Sequence, residues 1–182
     1  LIQWHKALTG SSEVYAKNLC RKGDIWMLKI TNFSKCYQKG VKAVDNLSLE
    51  VKSGDIFGFI GHNGAGKTTT LKAVAGILDF DEGDIEIDKI SIKKDPVACK
   101  QRMAYIPDNP DLYEHLTGIA YLNFIGDIYQ VSKAERTELI KEYAGAFELT
   151  SNLGDVIGSY SHGMKQKLAI ISALIHKPKL LI

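Results

Sequence analysis

The sequence predicts an α/β fold with a mainly parallel sheet, an antiparallel β part and a helical insert, and three observations lead to this. Residues 55–60 are a short apolar run typical of a buried strand, and a glycine-rich loop and a helix-forming run, residues 69–78, follow it. Apolar residues within 28–54 and 85–92 recur as in antiparallel strands. Between about residues 111 and 160 the apolar positions recur at helical spacing.

The β elements are predicted as follows. Residues 27–31 and 41–51 favour two strands joined by a turn near residues 38–40. Residues 85–92 hold four isoleucines around a short break, which is typical of a hairpin. Residues 103–106 favour a further strand that ends at a proline, and a last strand begins near residue 180.

Three helices are predicted after the hairpin. Thr117 can cap a helix that reaches about residue 130. Ser132 and Glu135 form a capping box that opens a second helix. A third helix runs over about residues 162–176 and ends before Pro178.

Length and composition limit the function classes. A chain of 182 residues fits one domain, or one domain with a subdomain. Lys and Arg total 23 against 21 Asp and Glu, so we expect no nucleic-acid partner. The longest apolar run, residues 168–175, is far shorter than the roughly 20 residues that cross a bilayer. Membrane contact is therefore expected only through a partner.

The first 26 residues show neither a clear period nor turn signals. We expect residues 1–26 to be a non-native or disordered extension and residues 27–182 to form the domain, with the helical part over about 111–160.

The loop after the apolar run matches G-x-x-x-x-G-K-[ST] in full. Glycines let successive N–H groups converge on a phosphate, a lysine supplies a cation, and a threonine hydroxyl can bind Mg²⁺. The sequence therefore predicts binding of a nucleoside triphosphate. The predicted binding residues are Gly61, His62, Asn63, Gly64, Ala65, Gly66, Lys67, Thr68 and Thr69.

A second motif lies about a hundred residues further on, at residues 158–168. Together with the P-loop (residues 61–68) it resembles the ATP-binding-cassette (ABC) ATPases, whose signature usually reads L-S-G-G-Q. Here Ser161 and Gly163 match, and the other three positions, Tyr160, His162 and Met164, differ. A serine hydroxyl and a glycine N–H at a helix start can hold a γ-phosphate.

The resemblance implies a P-loop NTPase core and roles for further residues. Asp108 stands where the family has a glutamine that senses Mg²⁺, although it could be only a turn residue. Tyr37 stands where an aromatic ring stacks on adenine; the alternative is a half-buried strand tyrosine. Val44 either contacts the same base or belongs to the core. The expected ligands are ATP and Mg²⁺, the metal held by Thr68 and Asp108.

In the family, the last strand continues into an aspartate and a glutamate needed for hydrolysis. The chain stops at Ile182, so we expect an incomplete, C-terminally truncated fragment that has no catalytic residue of its own and is inactive, although its parent is an ATPase.

The resemblance further implies an ATP-binding subunit that dimerises on two Mg-ATP and drives a permease of the bacterial export type. Such a subunit is cytoplasmic and peripheral at the inner face of the cell membrane. The alternatives are a soluble ABC-type ATPase of translation or DNA maintenance, and a non-hydrolytic nucleotide-binding regulator. The D-x-x-G at Asp155 also fits a guanine-nucleotide switch, but no N-K-x-D motif follows it.

Overall fold

The computed structural model describes residues 2–9, 12–19, 26–37 and 40–182, with side chains from residue 26 onward. The predicted turn near residues 38–40 therefore lies largely outside the described residues. The chain divides into two compact units, residues 1–103 with 182, and residues 104–181. The first unit contains the P-loop and the second contains the signature motif.

An antiparallel sheet of four strands forms the core of the first unit. Its central strand is β3 (Trp26–Cys36), which pairs with β4 (Lys42–Lys52) and with β6 (Glu82–Ile87). A hairpin joins β6 to β7 (Ile90–Ser91), as the isoleucine spacing predicted. The side chains of these strands that are almost completely buried include Ile30, Phe33, Val44, Leu47, Ile85 and Ile87.

The P-loop connects strand β5 (Phe57–Ile60) to helix α1 (Lys67–Val74). β5 pairs antiparallel with β2 (Ser12–Leu19), and β2 pairs with β1 (Ile2–Thr9). The sequence pattern predicted neither β1 nor β2, and it predicted a P-loop core with mainly parallel strands. An open strand edge exposes N–H and C=O groups that any extended backbone can pair with, in either direction. The non-native origin of residues 1–26 stays a prediction.

A short helix, α2 (Pro96–Arg102), was not predicted. The Asp95 side chain accepts a hydrogen bond of 2.9 Å from the Ala98 N–H, and Pro96 occupies the first helical position. Both are good start signals, but seven residues are too few for a helical period to show. Strand β8 (Met103–Ala104) follows directly.

The second unit is built from three helices, and their starts agree with the sequence prediction. Thr117 accepts a hydrogen bond from the Ala120 N–H at 3.2 Å, and Ser132 accepts one from the Glu135 N–H at 3.3 Å. The elements of this unit are α3 (Gly118–Ile128), α4 (Lys133–Ala146), two short 3-10 helices (Thr150–Asn152 and Ile157–Ser159), α5 (His162–Leu174) and β9 (Leu180–Leu181).

Apolar side chains from all three helices meet in one core in this unit. The most deeply buried members are Leu122, Ala144, Leu149, Ile157, Leu168, Ile171 and Ile175. Tyr160 and Leu112 bring the flanking loops into the same core. Among the described residues, the helices are all too short or too polar to cross a membrane.

Candidate nucleotide-binding site

The P-loop turns through two glycines with left-handed backbones. Gly64 and Gly66 have φ of +84° and +81°, a region that residues with a Cβ rarely adopt. At Gly66 a Cβ would lie 2.7 Å from the Ala43 carbonyl oxygen and 2.7 Å from Val44 Cγ2. The loop therefore rests directly on β4 at Gly66, and only glycine fits there.

Helix α1 begins at the end of this loop without a side-chain cap. Its N-cap is Gly66, and its first turn contains no acidic residue. The first N–H groups of a helix lack partners inside the helix, and the helix dipole makes this end positive. An anion at this position would satisfy both needs.

The ammonium group of Lys67 lies over the same loop. Its Nζ donates hydrogen bonds to the carbonyl oxygens of Gly61 at 2.6 Å and His62 at 2.7 Å. Thr68, the next residue of α1, is exposed to solvent. A cation and a hydroxyl therefore stand side by side at the uncapped helix start, which suits a phosphate with its metal ion.

His62 and Asn63 form the exposed tip of the loop, and Ala65 is buried beneath it. The Nδ1 atom of His62 lies 2.7 Å from the backbone oxygen of Asn63, its immediate neighbour. The ring thus makes a local contact that shapes the tip.

Tyr37 stands beside α1 with an open ring face. Its hydroxyl lies 3.4 Å from the Thr69 hydroxyl, and the residue is 50% exposed. The Lys35 Nζ lies 5.9 Å from the centre of the ring. An exposed aromatic face next to the P-loop helix can stack on a base. Val44, in contrast, is 1% exposed and belongs to the core.

The signature serine begins α5 in the second unit. The Ser161 hydroxyl accepts a hydrogen bond from the Met164 N–H at 3.3 Å, and no acidic residue lies in the first turn. Gly163 is exposed, and no atom of the described residues of its unit lies within 4 Å of where a Cβ would be. Within the described part of its own unit, this helix start is therefore uncovered.

Tyr160, which replaces the family's leucine, is buried just before that serine. Its hydroxyl donates a hydrogen bond of 2.5 Å to the Asn152 carbonyl oxygen, and the residue is 5% exposed. Burial raises the pKa of this hydroxyl, and the negative charge of Asp155 raises it further. The hydroxyl therefore stays a donor over the whole physiological range.

Asp108 is exposed in the loop after β8 and belongs to the second unit, whereas Thr68 belongs to the first. Their joint role as metal ligands stays a prediction. The structure brings Tyr37 to Thr69 in the first turn of α1, and it places Ser161 and Gly163 at the start of α5.

Two contacts near these groups gave no signal in the sequence. The Asp81 carboxylate accepts a hydrogen bond of 2.6 Å from the Cys36 N–H and so holds the end of β3 directly before Tyr37. Lys165 forms an ion pair with Glu114, a residue 51 positions away. Only the folded chain brings such distant residues together.

Comparison with known proteins identifies the family of the chain. Residues 44–182 match the model of a family described as ABC transporter. The chain is 34% identical over 160 residues to the ABC transporter ATP-binding protein NatA of Bacillus subtilis (strain 168), which covers 86% of this chain and 65% of NatA. It is 37% identical over 156 residues to the bacitracin transport ATP-binding protein BcrA of Bacillus licheniformis, covering 86% of this chain and 50% of BcrA. The chain therefore belongs to the ABC transporter family.

A solved structure described as the ATP-binding subunit of an ABC transporter superposes with a TM-score of 0.77 at 30% identity. The match covers 85% of this chain and 64% of that chain, and it confirms the predicted P-loop NTPase fold class. The chain spans about half to two-thirds of the length of the relatives it matches.

Proposed function

We propose that the protein containing this chain is the ATP-binding and ATP-hydrolysing subunit of a bacterial ABC transporter. The observation that carries this proposal is the uncapped start of α1, where Gly66 rests on β4 and the Lys67 ammonium lies over the loop. This arrangement gathers positive charge and N–H donors at one point, and a nucleotide's phosphates are its natural ligand.

The residues present fit Mg-ATP. Residues 61–69 would hold the phosphates, and the open face of Tyr37 would stack on the adenine. Thr68 and Asp108 would hold Mg²⁺, since hard cations favour hydroxyl and carboxylate oxygens. The metal, when bound, would neutralise phosphate charge. The Lys67 side chain would orient the phosphate chain against the helix start, and Gly66 would let the backbone approach it.

The signature helix supports a dimer as the working state. The Ser161 hydroxyl and the open surface at Gly163 lie at a helix start that nothing in the described part of its unit covers. In the proposed cycle, this helix start contacts the ATP held by the P-loop of a second copy. Two copies would thus close on two Mg-ATP, and hydrolysis would reopen them.

The permease would bind an aromatic face of the second unit. A pocket of about 210 Å³ lies between the loop at residues 104–112 and helices α3 and α5. Beside it, Tyr113, Phe124 and Ile128 are 49%, 40% and 56% exposed, and the rings of Tyr113 and Phe124 meet edge to face at 5.6 Å. An apolar face of this kind on a loop that the family uses for its membrane subunit fits a permease helix.

This contact would hold the protein on the cytoplasmic side of the cell membrane. The names of the relatives support a transporter over a soluble ATPase or a regulator: one is a bacitracin transport protein, and one solved relative is a transporter subunit. Another relative, 31% identical over 156 residues, is named the SkfA peptide export ATP-binding protein SkfE of Bacillus subtilis (strain 168), which is in keeping with the export direction.

Replacement of Lys67 tests the proposal. Charge-assisted hydrogen bonds to phosphate are worth about 1.5–3 kcal/mol, so Lys67→Ala should weaken ATP binding roughly ten- to a hundredfold. The measurement is a titration of the full-length protein with a fluorescent, non-hydrolysable ATP analogue and Mg²⁺. Lys72→Ala is the matched control, because this exposed lysine lies in the last turn of the same helix. Equal affinities for the two variants would refute the proposal.

A further inference from the structure

A short segment of the second unit, residues 114–118, runs alongside the chain that leads into the signature motif. The Gly158 N–H donates to the Glu114 carbonyl oxygen, and the Ile157 N–H donates to the Leu116 carbonyl oxygen, both at 2.9 Å. Thr117 and Val156 form an antiparallel bridge. These bonds fix the backbone three to five residues before Ser161. We call residues 114–118 the brace.

The brace also reaches past the serine through a side chain. The Lys165 Nζ donates a hydrogen bond of 2.5 Å to Glu114 Oε1. The Lys165 N–H in turn donates to the Ser161 carbonyl oxygen at 2.9 Å, so Lys165 closes the helical turn that Ser161 opens. The bond and the positive charge of Lys165 hold the pKa of Glu114 below its ordinary value, which keeps the carboxylate charged.

The far end of the brace touches the residue directly before the serine. A Cβ on Gly118 would lie 2.3 Å from the Tyr160 hydroxyl, so the tyrosine passes over a position where only glycine leaves room. The Tyr160 hydroxyl donates a hydrogen bond to the Asn152 carbonyl oxygen. Contacts of the brace therefore surround Ser161 on both sides along the chain, through Tyr160 before it and Lys165 after it.

We propose that the brace positions the Ser161 hydroxyl for a nucleotide held by a second copy, and that Glu114 is a positioning residue acting through Lys165. This inference rests on the proposed function, since it presumes that ATP drives two copies together. Glu114 itself contacts no part of the nucleotide in this account. Glu114 acts by holding Lys165, and with it the first turn of α5, in one orientation relative to the brace.

The chain contains a matched control for this ion pair. Lys177, just beyond α5, donates a hydrogen bond of 2.6 Å to Glu135 Oε1. Both glutamates are exposed, and both pairs tie an end of the same helical region to another element. Exposed ion pairs contribute little to stability. A purely structural role would therefore give Glu114→Ala and Glu135→Ala the same small effect.

The experiment compares variants of the full-length protein by sedimentation with Mg-ATP under conditions that block hydrolysis. Glu114→Ala should weaken ATP-driven dimerisation roughly three- to tenfold, since each dimer contains the contact twice. Glu135→Ala should leave it unchanged, and Glu114→Asp should recover part of the loss. Monomer affinity for ATP and the thermal midpoint should be equal for Glu114→Ala and Glu135→Ala.

Ser161→Ala separates a failure of this inference from a failure of the proposed function. If Ser161→Ala weakens dimerisation and Glu114→Ala behaves like Glu135→Ala, the brace plays no positioning role and the inference is overturned. If Ser161→Ala also has no effect, the dimer of the proposed function is itself wrong. Loss of thermal stability in Glu114→Ala alone would assign the residue a structural role and overturn the inference as well.

Discussion

Gly66 combines two constraints, a left-handed backbone and a close neighbour. Its φ is +81°, and a Cβ would lie 2.7 Å from the Ala43 carbonyl oxygen. Gly64 has nearly the same φ, +84°, but nothing within 4 Å of its Cβ position among the described residues. Comparison of Gly64 with Gly66 therefore separates the cost of a left-handed backbone from the cost of a steric clash.

Gly64→Ala should lower the free energy of unfolding by about 1–2 kcal/mol, the usual range for a left-handed residue with a side chain. Gly66→Ala should lower it further, because the backbone of β4 cannot yield as a side chain can. Urea unfolding of both variants without nucleotide measures the difference. Equal losses would show that the loop moves away from β4 without a penalty.

The residues of the P-loop could be predicted because they are contiguous and each has a local reason to be there. Gly64 and Gly66 have the positive φ that the motif demands, and Lys67 begins α1. Glu114 could not be predicted, since its partner Lys165 is brought to it only by the packing of the second unit.

At the level of elements, α3 and α4 are joined by a buried arginine. Arg136 is 8% exposed, and its guanidinium donates to the Asn123 carbonyl oxygen and to the Asp127 carboxylate. The Asp127 side chain is 71% exposed. Arg136 Nε is buried and makes no hydrogen bond to any described residue. The positive charge is therefore already poorly satisfied.

Because Arg136 is buried and Asp127 is exposed, removal of Asp127 should lower the free energy of unfolding more than removal of the Arg136 charge. Asp127→Ala leaves a buried cation short of an acceptor and should cost about 1.5–3 kcal/mol. Arg136→Met keeps the apolar stem and leaves the aspartate in water, so its cost should stay below about 1 kcal/mol. Urea midpoints of the two variants decide; the reverse order would contradict this account of the junction.

The helices of the second unit were predictable because each begins after a Ser or Thr residue that can cap a helix. Thr117, Ser132 and Ser161 all accept a hydrogen bond from an N–H three residues ahead. Helix α2 has such a start at Asp95, but it is too short to show a period. Strands β1 and β2 showed no period in the sequence, and the pairing of β2 with β5, a strand far along the chain, could not be read from a local pattern.

For the whole molecule, we propose that the two units have different binding roles. The first unit binds ATP, and the second contacts both the other copy and the permease. The permease contact can be tested separately. Ile128 is 56% exposed on α3, and Ile77 is 60% exposed in the first unit. The two isoleucines therefore form a matched pair on different units.

Ile128→Glu should reduce the fraction of full-length protein that sediments with host membranes roughly tenfold, as expected when an apolar interface residue is replaced by a charge. Ile77→Glu should leave that fraction unchanged, and ATP affinity should be normal in both. Liposomes made only of host lipids should bind neither variant nor the wild type. Binding to such liposomes would mean that the protein contacts lipid rather than a permease.

The hydrogen bonds of Lys67 limit how many of its ammonium hydrogens are available to a ligand. An ammonium group carries three hydrogens, and two of them already point at the carbonyl oxygens of Gly61 and His62. One hydrogen is left to offer to an arriving anion, and the lysine can offer it without letting go of the backbone. The Lys67 side chain is thus already ordered by the loop. Little side-chain conformational entropy therefore remains to be lost when phosphate binds.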